Sequence, residues 1–457
     1  MPDTAKVPAG ELADFLESHP RVKTIDALFE DLSGIVRGKR LPVAQAAKLF
    51  GPGAAMPRSV FLLSVTGDSF DPEGRGFSDG DPDGIVKALP GSLVEVPWSE
   101  RPLGQVLITF EEDGRPNPIE PRNVLARTLA RFDELGLRPV VAFELEFYLI
   151  DIERAEGEAP QPPRSPVTGQ RDRSTQVYGM ATVDDFGGFL DDVVAACTAQ
   201  GVETGAVTSE YAPGQFEINL QHQDDPLRAA DHCVVFKRAV KGVARNHGVQ
   251  ATFMAKPYPE ASGSGLHLHI SLLDKDGRNV FDGGDQPASP RLRQAIAGIL
   301  DLMPDAMGIL APNPNSYRRY QPNIYVPVNR SWGFENRSVA LRIPIGDGAS
   351  RRIEHRIAGA DANPYLTLAT ALAGIHHGLT NQLDPGPPWE GNAGEKLDPE
   401  VPFRPWRALD RLAESQVMAD YLGEEFRRCY VACKRLDLEQ FEAEISPAEY
   451  RWYLLAE

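Results

Sequence analysis

The chain contains little cysteine and no long apolar run. Its 457 residues include four cysteines, at positions 197, 233, 429 and 433. Four are too few for a disulfide framework, so we expect packing roles for them in a reducing cytoplasm. No run of about eighteen apolar residues occurs, and we expect no membrane-spanning helix. The first twenty residues lack the basic and apolar segments of a secretory signal.

Positive charge is also scarce. The 47 lysines and arginines stand against 65 aspartates and glutamates, which gives a formal net charge of -18. This charge argues against nucleic acid and anionic membranes as partners. No Gly-x-x-x-x-Gly-Lys-Ser/Thr segment exists, so a P-loop is excluded, and metals and arginines would have to hold any phosphate.

The order of elements indicates an α+β fold with a largely antiparallel sheet. Helical patterns alternate with strand-like runs; helices are predicted at 185–200 and 226–247, and strands at 139–150, 214–220, 265–273 and 338–344. We place a boundary near residue 115, with one domain over 1–115 and a larger one over 116–457. Within the first domain, residues 66–84 form a long polar loop rich in Gly, Pro and Asp.

Two glutamates occupy one face of a predicted buried strand. In "FELEF", residues 143–147, Glu144 and Glu146 point the same way because side chains alternate along a strand. Two neighbouring buried carboxylates repel and resist ionisation, and a divalent cation removes both penalties. For this pair taken alone, a half-exposed strand with a solvated glutamate face is the simpler explanation.

Similar residues recur on other apolar strands or at their ends. These candidates are Glu210, Glu217, His267, His269 and Glu354. Five carboxylates and one or two imidazoles suggest one site with two metals, although a single histidine is more often a core residue. Mostly oxygen ligands favour Mg²⁺ or Mn²⁺ over zinc.

Arginine is concentrated in one stretch of the chain. Residues 313–356 contain eight arginines, no lysine and three acids. Such a set indicates planar, bidentate contacts to carboxylate or phosphate. A polyanion-binding surface, or salt bridges between subunits, would also explain it.

Together these motifs resemble the glutamine synthetase superfamily. The resemblance runs in the family's order over about 120–450 through "FELEF", "EYAPGQFE", "GSGLHLHISL", "PNSYRRY", "ENRSVALRIP" and "RRIEHRIAGADANPYL". It implies a small N-terminal β-grasp domain, matched chiefly by "GIVRGKRLP", and a catalytic domain with a curved antiparallel sheet flanked by helices. It also implies a homododecamer of stacked rings, in which each site is completed by the next subunit's N-terminal domain.

The resemblance also implies the ligand sets. One Mg²⁺ or Mn²⁺ is held by Glu146, Glu210 and Glu217, and the second by Glu144, His267 and Glu354. ATP is contacted by His269, Ser271, Arg342 and Arg352. Glutamate is bound by Gly263, Arg319 and Arg356, and the transferred phosphoryl group is stabilised by Arg337.

Three positions depart from the family pattern. Tyr325 stands where a flap glutamate helps to hold ammonium, and a tyrosine with a pKa of about 10 is neutral at pH 7. The Asp-Gly-Ser-Ser segment that also serves ammonium is missing, and Ser64 stands near its aspartate. Ser262 replaces an asparagine that touches the glutamate. We therefore assign Tyr325 and Ser64 to a pocket for a larger amine; alternatively, Tyr325 only packs a flap.

The acidic loop gives a second indication about the amine. Residues 68–83 contain six acids and one arginine, which would favour a cationic amine if this loop borders a neighbouring site. A solvated acidic loop is the commoner explanation. The resulting hypothesis is an ATP-dependent ligase that joins the γ-carboxylate of glutamate to a polyamine or monoamine through γ-glutamyl phosphate. The alternatives are a true ammonia-dependent glutamine synthetase and a non-catalytic amine sensor.

Overall fold

The computed structural model describes residues 9–154 and 158–456. Its first part is a helix followed by a seven-stranded sheet with strand order β2-β1-β6-β4-β3, in which β5 and β7 also pair with β6. The elements are α1 (Ala9–Ser18), β1 (Thr24–Glu30), β2 (Val36–Pro42), α2 (Val43–Ala46), β3 (Ala54–Pro57), β4 (Asp83–Ala88), β5 (Val94–Glu95), β6 (Gly104–Glu112) and β7 (Arg115–Pro116). The pair β1–β6 is parallel and the other pairs are antiparallel.

The second sheet has eight strands in the order β13-β14-β15-β12-β8-β10-β9, with β11 also on β8. Its strands are β8 (Leu137–Asp151), β9 (Thr204–Ser209), β10 (Gln215–Leu220), β11 (Val249–Thr252), β12 (Leu266–Asp274), β13 (Trp332–Phe334), β14 (Leu341–Ile343) and β15 (Ile353–His355). Only β13–β14 is a parallel pair among these. The predicted largely antiparallel sheet is therefore confirmed.

Helices cover this sheet and form the C-terminal part of the chain. They are α3 (Pro121–Glu134), α4 (Met180–Asp185), α5 (Gly187–Ala199), α6 (Pro226–Asn246), α7 (Pro290–Leu310), α8 (Pro364–Asn381), α9 (Pro405–Glu414), α10 (Gln416–Leu422), α11 (Glu424–Ala443) and α12 (Pro447–Tyr453). Three long helices begin in the same way, with proline at the first position and a capping side chain before it: Asp225, Ser289 and Asn363. The two predicted helices are confirmed.

The backbones of α7 and α8 are in direct contact. A Cβ atom on Gly298 would lie 2.0 Å from the carbonyl oxygen of Gly374, so only glycine fits at this crossing. Among the described residues, no helix has the length and apolar character needed to cross a bilayer. The four cysteines are buried free thiols, as expected for packing residues.

Polar contacts join the first sheet to the rest of the molecule. Arg238 on α6 forms an ion pair with Asp26 on β1, and the Asn363 amide donates to the carbonyl oxygen of Asp31. The proposed boundary near residue 115 falls within β7, which still pairs with β6. The short link before α3 is a more natural place to divide the two proposed domains.

The predicted strand at 338–344 is shorter than expected. Asn336 accepts a hydrogen bond from the backbone N–H of Ser338, which forms a local turn, and β14 begins only at Leu341. Such side-chain bonds compete with strand pairing.

Candidate active site

Strand β8 supplies the centre of the site. Its burial alternates, with Phe143, Leu145 and Phe147 in the core and the two glutamates between them on the opposite face. In the register, Glu217 on β10 lies opposite Glu146, and His267 on β12 lies opposite Glu144. Paired residues share a face, so these four side chains meet.

The same face continues towards the far edge of the sheet. Glu354 on β15 lies opposite His269 on β12 and opposite Arg342 on β14. Ser271 follows His269 by two residues on β12 and therefore lies on this face as well. We call the face built from β8, β10, β12, β14 and β15 the polar face.

Glu144 is the most highly connected carboxylate of the polar face. Its oxygens lie 2.6 Å from His267 Nδ1 and 3.2 Å from His269 Nε2, and it accepts a 2.8 Å hydrogen bond from Asn219 Nδ2. Burial acts to raise the pKa of Glu144, but the histidine hydrogen bonds outweigh it and hold the pKa well below its usual value. Glu144 is therefore an ionised group.

Glu210 and Glu217 are in the opposite situation. Burial, together with the charges of Glu144 and Glu146, raises the pKa of Glu210 to about 8 and that of Glu217 to about 11. Without a counter-charge, these carboxylates therefore hold protons at pH 7. Crowded carboxylates of this kind are a donor set suited to a divalent cation, which favours their ionised form.

Two sets of three residues on this face could each hold a metal ion, because the ligand atoms within each set lie within 4.8 Å of one another. One group is Glu144, Glu217 and His267, and the other is Glu144, His269 and Glu354. The predicted sets divide these residues differently, since His269 was assigned to ATP and Glu217 to the site of Glu146. A divalent cation bound here would act as a Lewis acid on a phosphoryl oxygen.

Arginines surround Glu354. Arg342 Nη1 donates to it at 2.8 Å and Arg356 Nη1 forms a second hydrogen bond. Burial acts to raise the pKa of Glu354, but the charge of Arg356 and of both histidines lowers it below the usual value. Arg356, predicted to bind glutamate, therefore lies against a predicted metal ligand.

The remaining predicted arginines have different partners. Arg352 Nε lies 3.2 Å from His269 Nδ1. Arg337 Nη1 donates to the Tyr178 hydroxyl at 3.0 Å. Arg342 and Arg352 therefore lie at the polar face. Arg337 is held instead by its hydrogen bond to Tyr178, a loop residue.

Arg319 is a buried cation without an acidic partner in the described part of the chain. It is 2% exposed, its Nη1 donates to the Ile357 carbonyl at 3.1 Å, and its Nε has no hydrogen-bond partner. Gly263 leaves room for it, because a Cβ there would lie 2.6 Å from Arg319 Cγ. An unpaired buried guanidinium is suited to an anionic ligand.

Tyr325 and Ser64 have no hydrogen bond to the polar face within the described residues. Tyr325 is 65% exposed. Ser64 is fully buried, and its hydroxyl lies 2.8 Å from Thr66 Oγ1 and accepts a bond from the Asp68 N–H. The amine pocket stays a prediction.

Sequence reasoning missed several neighbours of the site: Gln215, Asn219, Tyr178 and Glu335. Gln215 and Asn219 flank Glu217 at two-residue spacing on β10, so strand alternation could have indicated them. Glu335, which accepts from Arg342 at 3.2 Å, and Tyr178 lie outside the helices and regular strands, where periodicity carries no signal.

Comparison with known proteins places this geometry in a family. The family described as the glutamine synthetase catalytic domain matches residues 118–453. The chain is 44% identical to the γ-glutamylputrescine synthetase PuuA of Escherichia coli K12, over 97% of this chain and 94% of that protein. It is 33% identical to a glutamate–isopropylamine ligase of a Pseudomonas species, over 97% of each. A solved structure of ligand-free GmaS superimposes with a TM-score of 0.83 at 27% identity, covering 98% of this chain and all of that one. The chain therefore belongs to the glutamine synthetase family.

Proposed function

We propose that the protein is an ATP-dependent ligase that joins the γ-carboxylate of glutamate to an organic amine. The observation that carries the proposal is the polar face, where carboxylates, two histidines and Arg342 converge beside the buried Arg319. A carboxylate resists attack by an amine because its charge repels the nucleophile and oxide is a poor leaving group. Phosphorylation to γ-glutamyl phosphate removes both obstacles.

Each group of residues has a part in this chemistry. Arg319, which has free donor capacity, binds the glutamate carboxylate, and Gly263 keeps the approach open. Glu146, Glu210 and Glu217 hold one Mg²⁺ or Mn²⁺, and Glu144, His267 and Glu354 hold the second. Arg342 and Arg352, with His269 and Ser271, contact ATP, and Arg337 stabilises the transferred phosphoryl group.

An organic amine is favoured over ammonia by Tyr325. A neutral phenol does not attract an ammonium ion as a carboxylate does, whereas its ring packs against an alkyl chain or a cationic end. The names of the two curated relatives, a γ-glutamylputrescine synthetase and a glutamate–isopropylamine ligase, support this substrate class.

The proposal includes a cytoplasmic homo-oligomer of stacked rings, a homododecamer. It is supported by a group of large apolar side chains left exposed near the C-terminus: Phe441, Ile445, Tyr450, Trp452, Tyr453, Leu454 and Leu455. Apolar surface of this extent marks interaction sites.

Product analysis tests the function. The purified enzyme is incubated with glutamate, ATP and Mg²⁺ and with putrescine, isopropylamine, ethanolamine or ammonium in turn, and products are identified by mass spectrometry. We expect a γ-glutamylamide with at least one organic amine, formed with one phosphate per product. Glutamine as the only product would assign the chain as a glutamine synthetase, and no product with any amine would contradict an enzymatic role.

A further inference from the structure

The Gln215 side chain lies between the polar face and the loop that carries Gly263. It is 1% exposed. Its Nε2 donates to Glu146 Oε2 at 3.3 Å and to the Gly263 carbonyl at 3.1 Å. Its Oε1 accepts from the Ala212 N–H at 3.3 Å and from the Ser262 hydroxyl. Both donors and both acceptor sites of the amide are therefore used.

These partners fix the orientation of the amide. A backbone carbonyl can only accept, so the Gly263 oxygen requires the NH₂ group beside it. A backbone N–H can only donate, so Ala212 requires the amide oxygen on the other side. The Ser262 hydroxyl adds a second donor to that oxygen. In a flipped Gln215, the amide oxygen would face the Gly263 carbonyl and the NH₂ group would face the Ala212 N–H. These buried groups would then have no hydrogen-bond partner in each other.

The loop reaches the same carboxylate by a second bond. The Gly265 N–H donates to Glu146 Oε2 at 2.8 Å, so this oxygen receives both Gln215 and the loop backbone. The Ser262 carbonyl also accepts from the Tyr148 hydroxyl on β8 at 2.6 Å. Glu146 and loop 262–265 are thus held in one arrangement, and the other Glu146 oxygen has no hydrogen-bond partner among the described residues, which leaves it for a cation.

We propose that Gln215 is a positioning residue that couples cation binding at Glu146 to glutamate binding at loop 262–265, and that Ser262 supports its orientation with a further hydrogen bond. The inference rests on the proposed function, which gives Glu146 and Gly263 their roles. A cation that draws Glu146 into place also places the loop through two shared hydrogen bonds. Metal and glutamate should therefore increase each other's affinity.

The test is the nearly isosteric substitution Gln215→Met in the full-length enzyme. It removes the amide without adding charge or a new oxygen ligand, so the two bonds donated to Glu146 and to the Gly263 carbonyl are lost. We expect the dissociation constant for Mn²⁺, measured by electron paramagnetic resonance titration without substrates, to rise by about 10–100-fold. The KM for glutamate should rise while the KM for ATP stays within about twofold, because none of the residues proposed to contact ATP belongs to the loop.

Gln200→Met is the matched control. Gln200 is also buried and its amide also donates to a backbone carbonyl, that of Glu95, away from the polar face. Ser262→Ala is the milder variant should Gln215→Met not fold, and we expect a smaller loss of Mn²⁺ affinity in the same direction. Unchanged Mn²⁺ affinity in both site variants, or an equal loss in Gln200→Met, would overturn the proposal. If wild type forms no amide but Mn²⁺ binding still depends on Gln215, the proposed function fails and the positioning role stands.

Discussion

At the scale of single residues, alternation along β8 places Glu144 and Glu146 on one face, as the sequence predicts. The partner of each side chain was not predictable in the same way. Arg356 pairs with Glu354 two residues away, and His269 lies on Glu144. The second contact depends on the register between β12 and β8, which one sequence does not contain.

Arg319→Ala should chiefly weaken glutamate binding. A hydrogen bond to a charged group contributes about 1.5–3 kcal/mol, so the KM for glutamate should rise by about 10–100-fold while that for ATP is nearly unchanged. The matched control is Arg330→Ala, since Arg330 pairs with Asp398 at a half-exposed position. Steady-state kinetics measure both KM values. If only the KM for ATP rises, Arg319 binds the nucleotide and not glutamate.

Tyr325→Glu should shift the preference towards ammonia. The new carboxylate would attract ammonium, so kcat/KM should rise for ammonium. Packing an alkyl chain against it would cost free energy because the carboxylate loses water, so kcat/KM should fall for the organic amine. Tyr325→Phe, which keeps the ring, should retain the amine preference. If Tyr325→Glu lowers both values equally, Tyr325 only packs the flap.

At the scale of elements, the long strands and helices follow from periodicity, and the short strands do not. β8, β10, β12 and α6 match their predicted positions within a few residues. β13 and β15 have three residues each, too few for an alternation pattern to be recognised. β15 carries Glu354, which was a candidate from its apolar neighbours although the strand itself was not predicted.

Glu210, which follows β9, and its neighbours on β8 lead to a pH prediction. Burial and neighbouring charges raise the folded-state pKa of Glu210 from 4.5 to about 8. The stability from this group is full below pH 4.5 and is lost as pH rises through 8. Added Mg²⁺ should therefore raise the unfolding midpoint of the apoenzyme more at about pH 8.5 than at about pH 6.

Glu217→Gln provides the control for this measurement, because it removes one of the crowded carboxylates. Its Mg²⁺-dependent gain in midpoint should be smaller and should vary less with pH. Thermal unfolding at both pH values, with and without Mg²⁺, gives the comparison. Equal gains at both pH values in wild type would contradict the role of Glu210.

At the scale of the whole molecule, the α+β class and the two successive sheets agree with the sequence. The parallel pairs β1–β6 and β13–β14 were not foreseen, since pairing direction depends on contacts between distant segments. The assembly likewise depends on surfaces rather than on local pattern. The exposed apolar residues at the C-terminus are the physical argument for it.

The double substitution Trp452→Glu and Leu455→Glu should break the proposed assembly. Both residues are strongly exposed, at 63% and 94%, so charges there should leave the protomer folded. Light scattering should show particles smaller than wild type, whereas Trp452→Tyr should leave the size unchanged. An unaltered particle mass in the double variant would place the interface elsewhere.

The most direct test of the central claim is a competition in one tube. Wild-type enzyme receives glutamate, ATP and Mg²⁺ with equal concentrations of ammonium and the best organic amine, and the two amide products are quantified by mass spectrometry. The ratio of products gives the ratio of kcat/KM values without separate assays. We predict that the γ-glutamylamide of the organic amine exceeds glutamine by at least about tenfold, roughly 1.4 kcal/mol of discrimination. Glutamine in excess would contradict the account and make the chain a glutamine synthetase with an unusual flap.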